Sequence, residues 1–85
     1  MKSENKYKGV LSYIIQSLIE RSIEAKKEAT SNKDDGFQAG RSLAYYEVLD
    51  TIKNRLMSFN IPLKEVDFNI DPDKELLNKP KKRAI

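Results

Sequence analysis

The chain contains no cysteine and no histidine. Disulfides, thiolate metal sites, cysteine nucleophiles and imidazole bases are therefore excluded by inventory. Glycine and proline are scarce, three of each, which favours long uninterrupted helices. No apolar run approaches the ~18 residues needed to span a membrane. A strong charge of one sign is missing too, since the formal net charge is +3. That excess sits unevenly: residues 61–78 are acid-rich, whereas Lys79, Lys81, Lys82 and Arg83 form the one dense basic cluster. A protein built to lie along a phosphate backbone would carry a basic face on its folded body, and no such face stands out.

What remains is a short, helix-prone composition, 39% hydrophobic and 34% charged over 85 residues. One domain is the upper limit, and a domain this short buries only about 60% of the surface its unfolded chain exposes. Self-association would relieve that shortage. Lys2, Lys6 and Lys8 ahead of VLSYIIQSLI echo a signal peptide, but Glu20 and Arg21 follow at once and no small-residue cleavage site is evident. The expected location is cytoplasmic.

The clearest period lies between Gly36 and Phe59. Tyr45, Val48, Leu49, Ile52, Leu56 and Phe59 recur at spacings of three and four, forming one stripe on an α-helix. Gly36, Gly40 and Ala44, four apart, leave a shallow groove where another backbone can approach. Ahead of this, a helix is predicted from about Asn5 to about Asn32, with Ser3 as a candidate N-cap. Its apolar residues, Tyr7 and Val10 through Ala29, cover an arc of roughly 220°, too wide for a single neighbour. Either a second body or the chain's own residues 61–77 must cover the surplus.

Thr30 to Gly36 contains no apolar residue and reads as the connection, with Asp34 or Asp35 capping the second helix. So short a link favours an antiparallel hairpin in which facing residue numbers sum to about 68. Small residues then meet near the loop (Ala29 with Ala39) and large ones at the open end (Leu11 with Leu56). The same register offers Glu47 to Arg21, and Glu24 or Glu28 to Arg41. The second helix should stop near Asn60, which tolerates left-handed geometry, with Pro62 just beyond. A helical turn at Pro62, an extended segment through Phe68 and Ile70, and a short helix opened by Asp71 and Pro72 complete residues 1–78 as a single domain. Residues 79–85 read as a flexible basic tail.

Chemistry-bearing patterns are sparse. The acids are spread along solvent-facing positions, and Asp67, Asp71 and Asp73 lack the spacing of a calcium loop, so no catalytic, cofactor or metal site is assigned. Tyr45 and Tyr46 point about 100° apart on a helix, which puts Tyr45 in the buried stripe and Tyr46 at its rim. The candidate interface is Val10, Ile14, Ile15, Ile19, Ile23 and Tyr46. Candidate anion contacts are Arg41, Lys79, Lys81, Lys82 and Arg83.

The segment GFQAGRSLAYYEVLDTIKNRLMSFNIPLKEV resembles stretches of short bacterial helical-hairpin proteins in which a Gly-Arg pair precedes an Ala-Tyr-Tyr-Glu run. That resemblance covers about a third of the chain and implies no activity. Aspartyl-phosphate phosphatases of the sporulation-control type are similar in size and outline, but their Ser-Gln-Glu-Leu-Asp signature is missing: Ser42 is followed by Leu43, Ala44, Tyr45 and Tyr46. The expectation is an all-α fold, a long antiparallel hairpin with a short C-terminal helix, dimerising into a four-helix bundle. The expected function is a non-enzymatic protein-binding adaptor or regulator. The alternative is a nucleic-acid-associated accessory protein using the basic tail with Lys26, Lys27 and Lys33.

Overall fold

The computed structural model describes residues 3–77, with side chains from Lys6 onward. Among them the regular structure is entirely helical: α1 (Ser3–Ser31), α2 (Gly36–Ser58), a single 3-10 turn (Leu63–Val66) and α3 (Pro72–Leu76). Ser3, expected as a cap, is already helical. The link is closed by the Asp35 amide donating to the Asn32 carbonyl at 2.9 Å. Asp35 then caps α2, its carboxylate accepting from the Phe37 and Gln38 amides at 3.0 and 3.3 Å.

α1 and α2 make the most extensive contact in the molecule. Ala29 and Ala39 line one cleft near the link, while Leu11 shares a hollow with Leu56 and Phe59 at the far end. Buried serines serve the narrow end. Ser22 is sealed, and its hydroxyl donates to the Ile19 carbonyl at 2.7 Å, so the helix satisfies its own polar group. Arg41 does not reach across to Glu24 or Glu28; its guanidinium donates to Gln38 Oε1 at 3.2 Å within α2.

After α2 the chain turns back twice, each time through a non-glycine residue in the left-handed region. Asn60 (φ 60°) and Asp67 (φ 58°) occupy equivalent places in two C-terminal caps. Around Asn60, the Ile61 amide donates to the Leu56 carbonyl at 2.9 Å and the Asn60 amide to Met57 at 3.0 Å. Around Asp67, Phe68 donates to Leu63 at 3.0 Å and Asp67 to Lys64 at 3.3 Å. Both are Schellman motifs, in which six-to-one and five-to-two bonds satisfy the last carbonyls. Asn and Asp are the side chains that visit this conformation at least cost. Asp71 opens α3 by accepting from the Asp73 and Lys74 amides, with Pro72 in the first helical position.

These reversals lay the C-terminal third on one side of the two long helices. Val66, Phe68 and Leu76 enter a cluster with Ile15 and Ile19 of α1 and with Leu49 and Leu56 of α2. Polar clips hold the layer: Ser12 Oγ donates to an Asp67 carboxylate oxygen, and Gln16 Nε2 donates to the Asp67 carbonyl. The result is a slab of 49 × 28 × 14 Å, thick enough for one layer upon another but not for a third.

The buried line of α2 differs from the expected stripe. Ser42, Leu49 and Leu56, seven apart, are buried; Leu49 and Leu56 were anticipated, but Val48 and Phe59 are exposed and Tyr45 is only half-buried. The core line has swung toward Tyr46 because the C-terminal layer covers that side.

Phe68→Ala is expected to lower the unfolding free energy by about 3–5 kcal/mol, enough to unfold much of a chain this size, as read by denaturant titration. Gly40→Ala should instead raise it by about 0.5–1 kcal/mol, because an added Cβ meets nothing within 4 Å.

Candidate binding surface

The residues touching the C-terminal layer fix which way each long helix faces. On α1 these include Ser12 and Gln16, bonded to Asp67 and Asn69. Ile14 lies two residues from each, so it points about 160° away from both. Val10 stands in the same relation to Ser12. On α2 the marker is Tyr46, whose hydroxyl donates to Asp73 Oδ1 at 2.8 Å. Val48, two residues on, points correspondingly away. Val10, Ile14, Val48 and Phe59 are 54, 47, 44 and 73% exposed, so each keeps a large apolar surface in water.

Val48 and Phe59 each line one of two adjoining hollows, while Val10 and Ile14 line neither. Ala44, Val48, Thr51 and Ile52 line a hollow of about 380 Å³ on α2. Thr51 and Ile52 also line a neighbouring hollow of about 250 Å³, together with Leu11, Leu56 and Ile61. The lining is largely apolar, with Glu47 and Arg55 among it, and comes from α1, α2 and Ile61 just beyond α2.

The expected interface residues do not form one surface. Ile15 and Ile19, expected to meet another molecule, belong to the internal core, because the C-terminal third covers them. Ile23 is exposed but sits nine residues, half a turn in projection, from Ile14 and so on the opposite side of α1. Tyr46, expected at a rim, is half-buried and ties α2 to α3 through Asp73. Of the six, Val10 and Ile14 remain on the open face. Val48 and Phe59 were missed as surface residues because periodicity places them with the core. Exposure is decided by which flank the returning chain covers, and a helical period carries no sign of that.

Of the candidate anion contacts, Arg41 is half-buried and engaged with Gln38, while Lys79, Lys81, Lys82 and Arg83 lie outside the described residues. The three alternating acids have separate tasks: Asp67 holds Ser12, Asp71 caps α3, and Asp73 accepts from Tyr46. Among the described residues no group of three metal-binding side chains converges, and no helix is long and apolar enough to cross a membrane.

The bond to Asp73 holds the Tyr46 proton, and the neighbouring carboxylates of Asp50 and Glu47 further oppose a phenolate, so its pKa is pushed up to about 12. A tyrosine with a raised folded pKa stabilises the fold below its unfolded value and loses that contribution as pH climbs through the folded one. An ultraviolet titration should therefore show one of the four tyrosines ionising near 12, and Tyr46→Phe should remove that late step.

No known protein family, curated protein or solved structure matches the chain, so no activity carries over from a relative.

Proposed function

We propose that this protein is a small non-enzymatic adaptor or regulator that binds another protein chain through the open apolar face of its two long helices. In this reading α1 and α2 form an antiparallel hairpin, and two copies pair face to face into a four-helix bundle. The observation that carries it is the exposure of Val10, Ile14, Val48 and Phe59 on the side opposite the C-terminal layer. Apolar side chains grouped on one side and rimmed by polar groups mark interaction surfaces more than chance exposure does. Glu47 and Arg55, which line the two hollows, supply polar groups there, and Arg21, exposed and seven residues or about two turns from Ile14, shares its side of α1. A non-catalytic role agrees with a chain whose alternating acids are committed to structural bonds and which has no histidine or cysteine to move protons or attack carbonyl carbon.

The alternative nucleic-acid reading rests on Lys79 to Arg83, outside the described residues, together with Lys26, Lys27 and Lys33; of these Lys27 and Lys33 are exposed, and Lys26 is half-buried and bonded to the Leu76 carbonyl.

Sedimentation equilibrium tests the pairing. The full chain is expected to self-associate at tens of micromolar, and a stable monomer there would remove the bundle. Ile14→Glu combined with Val48→Glu should shift the equilibrium to monomer while leaving the helical circular dichroism intact. Ile23→Glu, on the opposite flank, should leave association unchanged.

A further inference from the structure

A second hollow lies where α1, α2 and α3 meet near the link, away from the open face, and the proposed pairing does not use it. Its volume is about 350 Å³, at the lower end of the range for small-molecule sites. The two sides of the cleft differ in chemistry. Lys26, Thr30 and Lys33 line one edge, while Leu43, Leu76 and Leu77 supply a hydrocarbon wall. No acidic residue is among those lining it. The Lys26 ammonium is held at the seam by donating to the Leu76 carbonyl at 3.4 Å, and two further protons remain for another acceptor. Ser42, nearly buried, contributes to the lining between the charged and apolar sides.

We infer that this cleft binds a monomeric anionic amphiphile, an alkyl carboxylate of medium chain length. The carboxylate would lie between the two ammonium groups and the Thr30 hydroxyl, and the alkyl chain along the three leucines. Two lysines facing a cleft without a carboxylate of its own are complementary to a negative head group, and partial shielding from water strengthens that attraction. The leucine wall selects against a bare inorganic anion, which would leave it wet, and against a neutral alkane, which would leave the lysines uncompensated.

Decanoate, kept below micelle formation, is the probe. Titrated into the isotopically labelled full chain, it should give saturable amide shifts centred on Lys26, Thr30, Ser42, Leu43 and Leu77, with a Kd below about 1 mM. Decanol and inorganic phosphate should each bind at least about tenfold more weakly, since each satisfies only one side of the cleft. Combined Lys26→Met and Lys33→Met should weaken decanoate about tenfold or more. Leu43→Glu, at an exposed position where folding is not at stake, should abolish binding by placing a carboxylate in the wall. Lack of saturation, full affinity in the double lysine variant, or binding only to anionic phospholipid vesicles would overturn the assignment. Shifts confined to Val10, Ile14 and Val48 would overturn it as well, while leaving the protein-binding face standing.

Discussion

The packing of Val66, Phe68 and Leu76 against Ile15, Ile19, Leu49 and Leu56 is the contact on which the rest of the structure depends. Two helices alone share a narrow seam, and in a chain this short that seam encloses little volume. Folding the C-terminal third onto one side converts the seam into a core with three sources of side chains. Each of these large residues contributes about 1.5–3 kcal/mol by leaving water, and the layer contributes several together. The left-handed turns at Asn60 and Asp67 make the return possible, because each reverses the chain while still satisfying the terminal carbonyls.

Covering one side leaves the other bare. The returning segment runs along the flank marked by Ser12, Gln16 and Tyr46, where Val66, Phe68 and Leu76 are buried. Val10, Ile14, Val48 and Phe59 stay in contact with solvent. The same arrangement makes the cleft beside Lys26: α3 ends at Leu76, so the hydrocarbon of Leu76 and Leu77 closes one side while Lys26 of α1 and Lys33 of the link line the other. One packing choice thus produces two surfaces of different character, one largely apolar and one divided between charge and hydrocarbon.

Much of this was legible in the residues themselves. Local rules placed the helices to within a few residues, narrowed the cap of α2 to Asp34 or Asp35, ended α2 beside Asn60, and opened α3 with Asp71 and Pro72. Each of these depends on hydrogen bonds and steric limits within about six residues, which sequence carries directly.

The candidate surface was less legible. An apolar arc of roughly 220° on α1 says that more than one body must cover it, but not which body takes which part. The chain's own C-terminal third takes Ile15 and Ile19, and the half-turn separation of Ile23 from Ile14 divides what is left. By itself, then, the sequence determined the helices, their ends and their caps, because those follow from short-range geometry and hydrogen bonding. Only the tertiary structure decided which flank is sealed and which is open, because that rests on side chains more than fifty residues apart meeting across a core, as Ser12 meets Asp67.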